Sequence, residues 1–329
     1  MISWMFTFRG LQLAKRKRGQ DMSTPIAFLN GRFVPQAEAT LSFHDAGFVF
    51  GATITDFCRT FNQQLFRWKD HLTRFRHDCE ASFIALPSDE SLSDTASQLI
   101  AHNSTLIEPH EELALITFAT PGPIGYYLGQ PGGAGDSEST IGMHTFPLPL
   151  RRYQGLFHDG ASLAVVGFQP VASGSVVDPR VKHRSRMLWW LAEQHLKQRP
   201  NYERGQLALL LDGPDGNVLE TSFANVLFVV DGVLISPPPT DILDGIGLRI
   251  LKEIALNLRL PVTERRLPIR EVLSCASEGM LTGTAFGIAG VREVEGRAFT
   301  WPGPLTLQLM AEFADRANCD VSHQILSSR

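Results

Sequence analysis

The stretch VKHRSRMLWWLAEQHL, residues 181–196, sets four basic residues, Lys182, His183, Arg184 and Arg186, at the entrance of a helix. From Met187 onward the apolar positions Met187, Leu188, Leu191, Ala192 and Leu196, with His195, fall on one stripe at helical spacing. A cation facing the positive end of a helix dipole costs about 0.3–1 kcal/mol, and only Asp178 stands just upstream to offset it. One reading is a solvated basic patch. The other is that one of these groups works uncharged. A lysine held against positive potential has a lowered pKa, and a neutral amine is a nucleophile.

Other residues could serve the same chemistry. Gly245 and Gly247 flank Ile246 at the mouth of a helix, where unpaired backbone N–H groups and the dipole can hold an anion. Thr282-Gly283-Thr284 follows an apolar strand and offers hydroxyls and a flexible backbone to such an anion. Glu220 interrupts the apolar strand NVLETSFANV; if buried, it needs a cationic partner. Arg74 sits on a helix, where its fork could clamp a phosphate with two bonds. Each has an ordinary alternative: a turn, a bend, the solvent face of an edge strand, a surface arginine. As a set, a lysine, a carboxylate, two backbone anion sites and an arginine are the parts of a pyridoxal phosphate site. There the lysine forms an imine with the aldehyde, the carboxylate keeps the ring nitrogen protonated, and the anion sites hold the phosphate.

These residues need elements to position them. Residues 26–34 read as two short strands around an Asn30-Gly31 hairpin turn. TITDFCRTFNQQLFRW gives two more around Asn62. KDHLTRFRHDCEASF is helical, with His71, Leu72, Phe75 and Cys79 on one side, and residues 90–102 form a second helix. EELALITFAT is a buried strand. Residues 121–140 are Gly/Pro/Ser-rich and read as a mobile loop. IGMHTFPLPL returns as a strand, and Pro147 to Leu156 reads as a linker. The second half opens with strand ASLAVVGFQP. An antiparallel meander follows, turning at Asp215-Gly216 and Asp231-Gly232. Then come helices GIGLRILKEIALNL and IREVLSCA, two strands in GMLTGTAFGIAGVREVEGRAF, and a helix over 303–317. The pattern predicts an α+β protein of two domains with mostly antiparallel strands, residues 22–148 and 149–329. Residues 1–21, apolar and then basic, read as a disordered tail or an upstream start, or less simply as a targeting segment; a secretory signal has the reverse order.

Composition bounds the class. At 329 residues, 43% hydrophobic and 19% charged, this is an ordinary globular chain. Thirty Lys+Arg against 34 Asp+Glu give a net charge of −4, which points to neither nucleic acid nor membrane as the main partner. The scattered cysteines, Cys58, Cys79, Cys275 and Cys319, form no CxxC pair, so no metal site is expected, and they fit a reducing, cytoplasmic compartment.

Four ordered blocks carry a resemblance: FLNGRFVPQAEATLSFHDAGFVFGATITDFCRTFNQQLFRWKDHLTRFRHDCEAS, LETSFANVLFV, LDGIGLRIL and MLTGTAFGIAGVREVEGR. From about Ile26 to Phe299 the chain resembles the class IV (fold type IV) pyridoxal phosphate enzymes. These include branched-chain and D-amino acid aminotransferases, R-selective amine transaminases and aminodeoxychorismate lyases. The resemblance implies a D-amino acid aminotransferase-like two-domain fold and a homodimer. It implies an amino donor and a 2-oxo acid as partners. Lys182 matches the catalytic lysine, which also shuttles the proton between Cα and the cofactor. Arg74 matches the phosphate arginine and Glu220 the partner of the pyridine nitrogen. Ile246 and Gly247 match the amides on the phosphate, and Thr284 the phosphate threonine, with Ala285 beside it near the substrate carboxylate.

The chain departs from the family in places. Gly51-Ala52-Thr53 stands where the family usually reads Gly-Asp-Gly, Thr55 where an aromatic is frequent, and Asp56 where a glutamate is common. Ser185, Arg186 and Met187 occupy the region of an Asn and an aromatic, and an arginine four places after the lysine is more like the lyases. LALITFATPG lacks the arginine that several members use to grip a carboxylate; Arg59, Arg184 or Arg186 could replace it. The reading is an aminotransferase acting on a branched-chain-like or other hydrophobic amino acid, or an amine. The alternatives are a lyase-type elimination and a non-catalytic binding protein.

Overall fold

The computed structural model describes residues 23–133, 135, 138–168, 178–213 and 215–328; the expected tail, 1–21, lies outside them. A first sheet, fully antiparallel, collects β1 (Ile26–Leu29), β2 (Arg32–Pro35), β3 (Ile54–Phe61), β4 (Gln64–Leu65), β5 (Leu113–Thr120) and β6 (Thr140–Pro147) in the order β2-β1-β6-β5-β3-β4. The β1–β2 hairpin turns through Asn30 and Gly31, at φ 47° and 82°, the left-handed pair that suits strand twist and that Asn-Gly tolerates. Beside the sheet lie α1 (Ala46–Val49), α2 (Trp68–Ala81) and α3 (Asp89–Asn103). The side chain of Ser88 caps α3 by accepting from the Ser91 N–H. Ile54 and Cys58 of β3 pack with Phe75, Cys79, Leu92 and Leu99 of these helices. Burial of each such apolar side chain is worth about 1.5–3 kcal/mol. The alternate residues, Phe57 and Phe61, join the second core instead. Strand β3 is therefore buried on both faces, and this double role sets the site between the two sheets.

The second sheet contains β7 (Ala161–Phe168), β8 (Leu207–Asp212), β9 (Asn217–Thr221), β10 (Asn225–Val230), β11 (Val233–Ser236), β12 (Val262–Glu264), β13 (Ala276–Gly283), β14 (Gly287–Val294) and β15 (Arg297–Ala298). Its order is β12-β11-β10-β13-β14-β7-β8-β9, and β9 pairs again with β10 at Glu220↔Asn225, so the path closes on itself. The pairings are antiparallel except β7–β8, β7–β14 and β11–β12. The remaining helices are α4 (Gln154–His158), α5 (Met187–Lys197), α6 (Ile246–Asn257), α7 (Ile269–Cys275), α8 (Pro304–Ala317) and α9 (Val321–Leu326). This is the expected α+β class with mostly antiparallel strands. Among the described residues no helix is long and apolar enough to cross a membrane.

The structure departs from the sequence reading in four places. Residues 121–128 are not a featureless loop. Ala46 N–H donates to Gly122 O at 2.9 Å, Ile124 N–H to His44 O at 2.9 Å, and Gly125–Leu128 form a 3-10 turn. The expected linker is folded as a 3-10 turn over Leu150–Tyr153 running into α4, and Leu148 and Leu150 are buried. Strand β12 and helix α9 were not expected, because neither is long enough to show a period. On α5 only Ala192 and Leu196 of the stripe are buried, while Met187 and Leu191 are exposed.

Candidate active site

Lys182 owes its place to its neighbours. Val181 is buried in the core of the first sheet. The Lys182 N–H donates to Asp78 Oδ2 on α2 at 2.9 Å. Its carbonyl accepts from Thr55 N–H at 2.9 Å, and Arg184 N–H donates to Thr53 O at 2.8 Å. Residues 182–184 thus lie antiparallel along the start of β3, with Ile54 opposite His183. Among the described residues the half-buried amine of Lys182 has no hydrogen-bond partner. Its pKa is pulled down to about 8, first by burial and then by the Arg74 and Arg186 charges, against the opposing pull of Asp56 and Glu220. The amine is readily deprotonated, as the sequence reading required, but the cause differs. The helix begins only at Met187, so desolvation and two arginines do what was assigned to the dipole.

Arg74 is buried on α2. Its Nε and Nη2 donate to Asp56 Oδ2 at 3.0 and 2.6 Å, and Nη1 donates to Asp244 O at 2.9 Å, just before α6. Asp56 Oδ1 also lies 2.6 Å from His71 Nδ1. Burial alone would raise the Asp56 pKa, but Arg74 and His71 outweigh it and hold the carboxyl well below the usual range. His71 is kept neutral more readily by its own burial. The guanidinium has five N–H donors; three are engaged, and the others remain for an anion.

Glu220, Asn225 and Thr282 lie side by side across β9, β10 and β13. Asn225 Nδ2 donates to Glu220 Oε2 at 3.2 Å and to Leu243 O at 3.0 Å, and Leu243 N–H donates to the same Glu220 oxygen at 3.2 Å. The carboxyl is half-buried, and burial raises its pKa to about 7 despite Leu243, Arg186 and Lys182. It is not the solvent face of an edge strand. A carboxyl so poised invites a cationic partner.

Next to it, α6 begins at Ile246 with Gly245 as its N-cap, and no side chain caps the first turn. A Cβ on Gly247 would stand 2.5 Å from Thr282 Oγ1 and 3.2 Å from Gly283 N, so only glycine allows this approach. Thr282 Oγ1 is buried with no hydrogen-bond partner. A helix N-terminus with free N–H groups against an orphaned hydroxyl is a cradle for an anion. Thr284 is half-buried in the turn that joins β13 to β14, with Ala285 buried beside it.

The three arginines named as carboxylate grips separate clearly. Arg59 is fully buried. Its Nη1 donates to Ala285 O at 2.8 Å, Nη2 to Gln324 Oε1 at 2.8 Å and Nε to Thr60 O at 2.9 Å. Its fork is therefore committed to protein. Arg186 donates to Ser222 O and lies 4.5 Å over the Trp189 ring. Arg184 has no side-chain hydrogen bond or ion pair among the described residues. The residues that sequence reasoning missed are Asp56, as the buried partner of Arg74, together with His71, Asp78 and Asn225. An acid inside TITDFCRTF was the available signal.

The set can hold a phosphate at Arg74, the α6 amides and the Thr282–Thr284 turn. It can carry a neutral amine at Lys182 and present a proton-holding carboxyl at Glu220. Comparison with known proteins gives the family. A protein of Methanocaldococcus jannaschii named as a branched-chain-amino-acid aminotransferase is 28% identical over 292 residues, spanning 88% of this chain and 95% of that protein. A D-alanine aminotransferase of Staphylococcus epidermidis is 24% identical, spanning 87% of this chain and 95% of its own. The crystal structure of Escherichia coli branched-chain amino acid aminotransferase superposes with a TM-score of 0.78 at 20% identity, covering 89% of this chain and 94% of that one. The profile of the amino-transferase class IV family matches residues 53–294, and the chain belongs to that family of pyridoxal phosphate-dependent enzymes.

Proposed function

We propose that this aminotransferase moves an amino group between a hydrophobic, branched-chain-like amino acid and a 2-oxo acid. The observation that carries this is a half-buried amine with no partner, Lys182, under the charges of both Arg74 and Glu220. The name of the Methanocaldococcus relative and the apolar residues Phe57, Ile116 and Phe118 on one face of the first sheet favour a hydrophobic side chain. Pyridoxal phosphate, when bound, supplies an aldehyde that condenses with amines and a ring that draws electron density from the substrate's Cα. Around it, Arg74, the Ile246 and Gly247 amides and Thr284 bind the phosphate, and Glu220 holds a proton at the ring nitrogen. Lys182 Nζ takes the proton from Cα as base and returns it as acid two atoms along, beyond the amino nitrogen. Ala285 lies beside the substrate's carboxylate. In this reading residues 22–148 and 149–329 form the two domains, with the site between them.

A homodimer in the cytoplasm is part of the proposal. It is supported by exposed apolar groups in two neighbouring segments: Phe43, Phe48 and Phe50 around α1, and Met187, Trp190 and Leu191 on α5. Ser185 Oγ, which donates to Gly51 O at 2.7 Å, ties the segments together. So much apolar surface at one place suits burial against a second copy.

Replacing Lys182 with Ala tests the assignment: the cofactor's visible absorbance after dialysis, and turnover, are both expected to vanish. An unchanged spectrum overturns it. A lyase-type elimination is the second reading, favoured by Arg186 acting on both Lys182 and Glu220. Pyridoxamine phosphate with 2-oxo acids separates the two, since only amino transfer restores the aldehyde form.

A further inference from the structure

Helices α2 and α6 belong to different cores. Leu72, Phe75 and Cys79 of α2 pack with the first sheet, and Ile250, Leu251 and Ile254 of α6 lie in the core of the second. Polar bonds tie the two helices together beside the phosphate cradle. At one end Arg74 Nη1 donates to Asp244 O at 2.9 Å, two residues before α6 begins. At the other end Arg67 meets Glu253 twice, Nη2 to Oε1 at 2.6 Å and Nη1 to Oε2 at 3.1 Å. Arg67 and Arg74 are seven residues apart, and so are Ile246 and Glu253. Seven residues make about two helical turns, roughly 10 Å, and return to the same face. The helices therefore run antiparallel, tied at both ends of one two-turn span.

The tie far from the cradle is a network. Arg316 of α8 donates from Nη1 to the same Glu253 Oε2 at 2.8 Å, and Arg67 Nε donates to Asp70. Arg67 stands at the N-cap of α2 in the left-handed region, at φ 57°, a conformation that a non-glycine residue keeps where its surroundings hold it. Within the span, Arg249 of α6 donates from Nε to the Asp244 carboxylate at 2.9 Å. The residue whose carbonyl receives Arg74 is thus itself pinned to α6. A lone exposed ion pair contributes little, but bidentate pairs joined into a network contribute more. Where α2 is tied along α6 fixes how far Arg74 reaches toward the first turn of α6.

We infer that Glu253, with Arg67 and Arg316, is a positioning residue of the phosphate site. Their ionic tie sets how closely Arg74 approaches the Ile246 and Gly247 amides, and so how tightly the protein grips a phosphate ester. Because the tie is partly exposed, dissolved salt loosens that grip from two helical turns away. This rests on the reading of the cradle as the cofactor's phosphate site.

The test titrates full-length protein, freed of cofactor, with pyridoxal phosphate and with pyridoxal, which lacks the phosphate. Visible absorbance gives both dissociation constants, and the preference for the phosphorylated form measures the phosphate grip alone. The control is the Lys252–Glu264 pair, also anchored on α6. Its side chains are 27% and 41% exposed, against 30% and 42% for Arg67 and Glu253, but it ties α6 to β12. Glu253→Gln and Arg67→Gln should each lower the preference about three- to tenfold, while Glu264→Gln should leave it at the wild-type value. The gap between wild type and Glu253→Gln should narrow as sodium chloride rises from about 0.05 to 1 M. The inference is overturned if neither seam variant changes the preference, if Glu264→Gln lowers it as much, if pyridoxal weakens in step with pyridoxal phosphate, or if the gap ignores salt. A wild type that binds both forms equally refutes the phosphate reading of the cradle itself, and the inference falls with it.

Discussion

Replacing Asp56 with Asn removes one charge from a buried three-residue cluster and leaves its shape almost intact. In the native protein that charge meets the Arg74 guanidinium through bonds of 3.0 and 2.6 Å and lies 2.6 Å from His71 Nδ1. Both arginine and aspartate are buried. Removing one partner of such a pair costs about 3–5 kcal/mol, because the other charge remains out of water. In a protein of this size that is about 4–7 °C in melting temperature. The loss should be partly reversible by an anion. Arg74 without its acid binds inorganic phosphate more tightly than native Arg74, and a ligand at a hundred times its dissociation constant returns about 2.7 kcal/mol. The assay is thermal and urea denaturation of apoprotein, with and without phosphate, from pH 3 to 8. The native Asp56 carboxyl is held below its usual value, so its contribution is present above the unfolded pKa of about 4 and is lost as pH falls through it toward the lower folded value. Asp56→Asn should lack this acid limb. A variant within about 1 kcal/mol of wild type at pH 7, or one that phosphate stabilises no more than wild type, refutes the reasoning.

Three further outcomes are expected. Glu220→Gln should retain the cofactor but slow proton transfer at Cα by about a hundredfold or more, followed by single-turnover absorbance. In apoprotein the raised Glu220 pKa contributes stability that is present below about 4.5 and lost as pH rises through about 7; the variant's melting curve should be flat across that window. Gly247→Ala forces a methyl to within 2.5 Å of Thr282 Oγ1, so phosphate affinity should drop by an order of magnitude with little change in the fold, as measured by equilibrium dialysis of pyridoxal phosphate. Lys182 in apoprotein should be carbamoylated by cyanate with a rate that levels off above pH 8, as its lowered pKa requires, and mass spectrometry of peptides reads this directly. A rate still rising at pH 10 would contradict it.

Long periodic elements were legible because burial writes a period into the residues. Helices α2, α3, α6 and α8 and strands β3, β5 and β6 lie where their apolar spacing places them. Strand β12 and helix α9 were not legible, since three and six residues carry no period, and their stability comes from what they dock against. The apolar stripe of α5 was legible as a stripe, but spacing does not say whether such a face meets this chain or another. Of the candidate site, Lys182, Arg74 and Glu220 were named from residue type and from the order of the resembling blocks. Their partners were not: the pairing of Asp56 with Arg74, or of Asp78 with the Lys182 backbone, depends on which face of α2 meets β3. Nor could sequence separate Arg59, Arg184 and Arg186, whose difference lies only in what each fork touches.

Arg59 clasps carbonyl and amide oxygens 226 and 265 positions further along the chain. Loops of that size close late, after each sheet has formed its own nearer pairings. A half-assembled molecule can therefore display Lys182 and Arg74 on one sheet yet still lack an oriented Thr284–Ala285 turn. Uptake of vitamin B6 would then report completed assembly, and the depth of yellow in a preparation would count the molecules whose last closure has taken place.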